Sequence, residues 1–130
     1  MTAFTQLIRA KNDFVHGAPA SPDLIRDAEE ALNLHFSEEY RAYLQEFGLA
    51  AFAGHELTGI SKSPRLNVTD VTTKEKTQNP NIPESYYVVE KANIDGIVIW
   101  QAATGEIYQT EYDGKPHLIY KSLAEYIEAM

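Results

Sequence analysis

Apolar positions recur at two different periods along this chain, and the change falls at Gly48. Before Gly48 the spacing is helical. Phe4, Leu7, Ile8 and Val15 lie near one face of a helix over residues 3 to 15. His16-Gly17-Ala18-Pro19 should end it, because proline cannot continue the hydrogen-bond ladder. Ser21-Pro22 has the form of an N-cap followed by proline at the first helical position. Asp23 and Asp27 then fall near the positive end of that helix dipole. Leu24, Ala28, Ala31 and Leu32 give this second helix its predicted stripe, which fades at Asn33. Ser37 opens a third helix with Tyr40, Tyr43, Leu44 and Phe47 on one face and Gly48 as its stop. The short link from Asn33 to Ser37 makes helices two and three packing neighbours.

Beyond Gly48 the runs are short and alternating. Leu49 to Phe52 and His55 to Ile60 read as two strands, and 61 to 65 as a loop. Val68 to Val71 leads into a short helix, with Thr72 and Glu75 spaced as a capping box. Asn79-Pro80-Asn81-Ile82-Pro83 is a loop. Four strands follow, at Tyr86 to Glu90, Ile97 to Gln101, Glu106 to Tyr112 and His117 to Tyr120. Asp95-Gly96, Thr104-Gly105 and Asp113-Gly114 supply the turns between or after them, so Ile94 to Tyr112 is the middle of an antiparallel meander. Ser122 and Glu125 form another capping box, opening a last helix with Leu123, Tyr126, Ile127 and Met130 on one face. The fold class is therefore α+β: an antiparallel meander sheet with N-terminal helices and a C-terminal helix packed on it. An even loop between 101 and 106 would put Val98, Trp100, Ile107 and Gln109 on one face. Ile97, Ile99, Tyr108, Glu106 and Thr110 would take the other, and a bulge would exchange these partners.

The totals fit this picture. The 130 residues form one expected domain, 1-130, with 44% hydrophobic and 23% charged residues. A chain of this length buries roughly two thirds of its unfolded surface and needs no metal or disulfide to fold. It has no cysteine, which removes disulfides, thiolate nucleophiles and Cys-based zinc sites and suits a reducing cytoplasm. The N-terminal stretch is amphipathic rather than a secretory core, and no apolar run approaches the ~20 residues of a membrane span. The net charge of -8 and pI near 4.9 argue against nucleic acid as a partner, because phosphate binding needs a basic face. The same charge favours a basic protein partner.

Catalytic signals are weak. His55-Glu56 lacks the second histidine of a helical zinc motif and reads as a half-buried strand histidine. His16, His35 and His117 show no ligand spacing. Glu29-Glu30 and Glu38-Glu39 point to different sides of their helices and read as solvated faces. Asp95 and Glu106 could approach across the sheet as a carboxylate dyad, although turn chemistry already explains Asp95. No glycine-rich phosphate loop or nucleophile elbow is present, so no enzyme and no cofactor is expected. A pocket holding two or more ionisable groups within ~3 Å of one another would bring a small hydrolase back into contention.

One distribution does point to binding. From Glu84 to Asp113 the acids are Glu84, Glu90, Asp95, Glu106, Glu111 and Asp113, against Lys91 alone. Tyr86, Tyr87, Trp100, Tyr108 and Tyr112 are interleaved with them. Carboxylates beside tyrosine and tryptophan steer and anchor a basic protein. The expected contact surface is Glu90, Asp95, Trp100, Glu106, Tyr108, Glu111 and Tyr112.

The run Ala28-Glu29-Glu30-Ala31-Leu32 through Phe36-Ser37-Glu38-Glu39-Tyr40, Tyr43-Leu44 and Phe47-Gly48 resembles the helical opening of the SUKH superfamily, the Smi/Knr family. Gly54 to Ile60, Asp95-Gly96 with Trp100, and Gly105-Glu106-Ile107-Tyr108 resemble later segments of a bacterial subgroup. The likeness runs from about Pro22 to the C-terminus and departs at Ser37, where many relatives carry proline. It implies an α+β fold without a catalytic site. Bacterial members are similar to immunity proteins that neutralise toxins, often nucleases, of competing cells, and fungal relatives are implicated in cell-wall synthesis and signalling. The resemblance thus implies a cytoplasmic immunity protein with a basic cognate toxin as partner, with a regulatory interaction module as the alternative; a small hydrolase is a second alternative that the resemblance does not supply. The resemblance carries over no binding residues and leaves the oligomeric state open.

Overall fold

A computed structural model describes residues 3–92, 94–112 and 114–130. Asp113, counted among the acids and turn residues above, and Met1 and Thr2 lie outside the described residues. Helix α1 (Ala3–Arg9) is shorter than the periodicity predicts. The chain turns at Asp13, whose φ is 58°, and Val15–His16 becomes strand β1. Val15 pairs there with Ala51, so its apolar side chain serves a sheet and not the end of a helix.

Helix α2 (Pro22–Leu32) starts as expected: Ser21 Oγ accepts from the Leu24 N–H at 3.2 Å, and Asn33 closes the helix in the left-handed conformation. Its buried face differs from the predicted stripe. Ile25 and Ala28 are buried, whereas Leu24 is 47% exposed and Ala31 is exposed. Glu29 follows Ile25 by four positions and lies on the same side. Its carboxylate accepts from Phe36 N–H at 2.8 Å and from Arg41 at 2.7 Å. Helix α3 (Glu38–Phe47) buries Tyr40, Tyr43, Leu44 and Phe47 as predicted. Gly48 ends it at φ 69°, where a Cβ would lie 1.9 Å from Ala18 O.

Strand β2 (Ala50–Phe52) pairs with β1 and with β3 (His55–Glu56) in a small antiparallel sheet. Helix α4 (Val68–Gln78) begins before the predicted capping box. Thr72 and Glu75 therefore lie inside it, and Thr72 Oγ1 instead accepts from Val88 N–H at 3.0 Å. Strands β4 (Tyr87–Lys91), β5 (Ile97–Gln101), β6 (Ile107–Glu111) and β7 (His117–Tyr120) form the meander, in the order β4-β5-β6-β7. Helix α5 (Leu123–Glu128) closes the chain, with Ser122 Oγ capping Glu125 N–H. Residues after β3 run along the outer edge of β4: Leu57 bridges Glu90, and Thr58 donates its N–H to Val89 O at 2.9 Å.

The β5–β6 hairpin closes between Gln101 and Ile107, leaving a five-residue loop. That odd loop overturns the even-loop facing. Trp100 lies opposite Tyr108 and Val98 opposite Thr110, while Ile99 lies opposite Gln109. On the outer face Val88, Val98 and Trp100 pack with Val71 of α4 and Ile82. On the inner face Tyr87, Val89, Ile99 and Ile107 join Ile25, Tyr40, Phe47 and Leu123 in the main core. A buried polar seam crosses that core. Tyr87 Oη accepts from Ser37 N–H at 2.9 Å and donates to Gln101 Oε1 at 2.7 Å, and Tyr43 Oη donates to Thr58 O at 2.7 Å. Buried hydroxyls need such partners, since an unpaired one costs about 1–3 kcal/mol.

Candidate functional site

Where the main core ends, the inner face of the meander opens into a groove of about 900 Å³. Glu90, Ile97, Ile99 and Gln109 form its floor. Gly54, His55 and Glu56 of the β2–β3 hairpin make one wall, and Leu118, Ile119 and Tyr120 of β7 with Tyr126 of α5 make the other. Glu90 reaches this floor through a bulge. The β4–β5 register shifts between Val88 and Glu90, so Glu90 sits opposite Ile99 on the inner face. Without the extra residue it would share the side of Val88, against Trp100.

Glu90 is 6% exposed, and both carboxylate oxygens are engaged. His55 Nδ1 lies 2.9 Å from Oε2, and Tyr126 Oη donates to Oε1. Burial and the adjacent Glu90 charge push the Tyr126 phenol well above its usual range, so the hydroxyl stays a donor. Glu56, at the rim, is clamped by Arg65 at 2.7 and 3.3 Å, which holds its carboxyl below the usual carboxylate range. Lys91 is turned to Glu75, at 2.9 Å. His55 is the half-buried strand histidine expected, and its partner is Glu90. Among the described residues no group of three or more His, Asp or Glu is placed to hold an ion. None has a helix long and apolar enough to cross a membrane.

The seven residues expected to form one contact surface are distributed over separate places. Trp100 is 1% exposed, and its indole N–H is used by Thr110 Oγ1 at 3.0 Å. It belongs to the outer core and has no exposed ring to offer, a correction whose cause is the cover that Val71 of α4 and Ile82 give to that face. Glu90 is likewise buried and belongs to the groove. Tyr108 stacks on Tyr86 at 4.7 Å on the outer face. Glu106 lies in the 102–106 loop and accepts from Thr104. Asp95, Glu111 and Tyr112 do come together, at the far end of β6. Asp95 and Gly96 both have positive φ in the 94–97 turn, and Tyr112 donates its N–H to Gly96 O at 2.9 Å. Glu111 pairs with Ile97, a floor residue of the groove, and Tyr112 is 71% exposed. Asp95 and Glu106 flank opposite ends of β6, roughly 15 Å of strand apart, so the imagined carboxylate dyad does not form.

The profile of the SUKH_6 family, described as SMI1-KNR4 cell-wall, matches residues 22–127. The chain belongs to the SUKH superfamily. The protein translocase subunit SecA of Rippkaea orientalis (strain PCC 8801 / RF-1) is 23% identical over 108 residues, covering 83% of this chain. The chain spans only 11% of the length of that relative, so the likeness concerns one segment of a longer protein.

Two features of this SUKH domain escaped the sequence reading. Glu29 and Glu39, expected on solvated faces, are structural: Glu39 accepts from the Leu123 and Ala124 N–H groups at 2.9 and 3.0 Å, at the start of α5. The His55–Glu90–Tyr126 chain joins residues 35 and 36 positions apart. A local signal did exist, in that Glu90 interrupts the apolar run Tyr87-Val88-Val89 within a strand.

Proposed function

We propose that this SUKH protein is a cytoplasmic immunity protein that binds and neutralises a cognate, basic toxin of the nuclease type. The observation that carries the reading is the exposed acidic-aromatic end of the meander, where Asp95, Glu111 and Tyr112 adjoin the mouth of the groove. A nuclease presents cations to its phosphate substrate, and carboxylates flanking an exposed aromatic ring match such a surface in charge and in anchoring. Membership of the family supports a binding role. An endogenous regulator of the cell-wall type would use the same surface, and the neighbouring reading frame discriminates between the two. Co-purification with the product of that frame should give a stable complex that suppresses its toxicity. Asp95→Lys with Glu111→Lys should weaken the complex by at least about ten-fold; unchanged affinity would remove this surface from the interface.

One observation favours a second reading, a small hydrolase. His55 is oriented by a carboxylate at 2.9 Å in an open groove, the arrangement of the base half of a catalytic triad. The described groove lining holds no serine, threonine or cysteine, so water would be the nucleophile. Ester hydrolysis that exceeds free imidazole and disappears in His55→Asn supports this reading, and a rate equal to imidazole ends it.

A further inference from the structure

Three largely buried carboxylates of this fold can be compared. Glu29 has Arg41 at 2.7 Å and Glu75 has Lys91 at 2.9 Å. Glu90, whose side chain is the most buried of the three at 8% exposure, has no arginine or lysine among the described residues; its partners are the His55 ring, a cation only when protonated, and the Tyr126 hydroxyl. A buried carboxylate is costly unless a cation answers it. Glu90 is also the one of the three that borders the large groove, and each of its oxygens keeps a second lone pair.

We propose that the groove receives an arginine side chain from a loop of the partner protein, with the guanidinium on Glu90. The floor and walls fit that residue in sequence from mouth to base. Ile94 and Leu118, 63% and 54% exposed, meet the loop at the mouth. Ile97 and Ile99 line the methylene stem. Tyr120 and Tyr126, with ring centroids 5.8 Å apart, offer aromatic surface beside Glu90 on which a planar, weakly hydrated guanidinium stacks better than an ammonium. Lys91, the one lysine of the described lining, is already held by Glu75 and leaves the negative potential of the floor in place. At about 900 Å³ the groove exceeds one side chain several-fold, so it admits the loop tip that carries it.

The inference rests on the partner-binding reading above and names the chemistry of what enters. The probe is the capped tripeptide acetyl-Gly-Arg-Gly-amide, titrated into the ¹⁵N-labelled protein, with citrulline and lysine analogues as controls. The arginine peptide should shift the amides of Glu90, Ile99, Gln109 and Tyr120, and citrulline, which has the same shape without the charge, should bind at least about ten-fold more weakly. Equal binding of the citrulline or lysine peptide, or shifts confined to other surfaces, overturns the proposal on the unaltered protein. Glu90→Gln should abolish the arginine preference. If the toxin binds Glu90→Gln as tightly as the parent and loses affinity only with Asp95→Lys and Glu111→Lys, the groove proposal fails and the immunity reading stands. If the arginine peptide occupies the groove while the neighbouring gene product does not bind, the immunity reading fails and the groove stands.

Discussion

Glu39 shows how one carboxylate can hold two elements together. It sits in the first turn of α3, where its charge suits the helix dipole, and its oxygens accept from the first N–H groups of α5 at 2.9 and 3.0 Å. Gln101 Nε2 approaches the same group at 3.3 Å. Ser37, the cap of α3, donates its hydroxyl to Gln101 Oε1 at 2.9 Å, so one glutamine joins both helix starts to β5. Replacing Glu39 by alanine leaves the two α5 donors without this acceptor. The expected loss is about 1.5–3 kcal/mol, the range for hydrogen bonds to charged groups. Urea denaturation reads the loss, and amide exchange should quicken first in α5; a midpoint equal to that of the parent would show that water replaces the carboxylate freely. Ser37 carries a related constraint. Its N–H is donated to Tyr87 Oη, so a proline at this position would leave this tyrosine without that donor.

At the scale of elements, what was legible in the sequence followed from how far apart the deciding residues lie. The caps at Ser21, Ser37 and Ser122 and the stop at Gly48 depend on neighbours within one turn, and each stands where the local pattern places it. The four meander strands are equally local, since alternation and turn residues mark them. The errors arise where a partner distant in sequence chooses between local options. Val15 continues a helical spacing, yet Ala51 recruits it to a strand. Leu24 and Ile25 both offer an apolar side chain, and the packing of α2 against the core selects Ile25. The facing of the β5–β6 hairpin hangs on whether its loop is odd, and composition does not count loop residues. That single parity brings Tyr108 to the face of Trp100, and Val71 of α4 with Ile82, distant in sequence, covers Trp100 and takes it from the expected contact surface into the outer core. The bulge between Val88 and Glu90 has the same character: it turns Glu90 inward to His55 and Tyr126, a site that no spacing rule would assemble.

For the molecule as a whole, the unusual load is buried phenol. Tyr40, Tyr43 and Tyr87 are each fully buried in the main core, and Tyr126 closes the groove wall. Burial raises the pKa of all four, with neighbouring phenols or Glu90 adding to the effect at Tyr40 and Tyr126. The linkage sign follows from which state holds its protons longer. In the unfolded chain these groups ionise near the ordinary value of about 10. In the folded protein they remain neutral beyond that, so above pH ~10 the unfolded state binds fewer protons and stability falls as pH rises. Each tyrosine contributes a slope of up to about 1.4 kcal/mol per pH unit, and the stabilising effect is fully present below the unfolded value. Four acting together exceed within two or three pH units the 5–15 kcal/mol typical of a domain. The protein should therefore be insensitive to these groups at neutral pH and unfold cooperatively in alkali. Phenolate absorbance from the buried set should appear together with the loss of far-ultraviolet circular dichroism. Tyr126→Phe, which removes a raised phenol at the edge of the core, should make the alkaline slope shallower by about one tyrosine's share. Phenolate that forms while the dichroism is intact would mean that the hydroxyl seam through Tyr43, Thr58, Tyr87 and Gln101 opens to hydroxide without unfolding, and the core would then be looser than its hydrogen bonds imply.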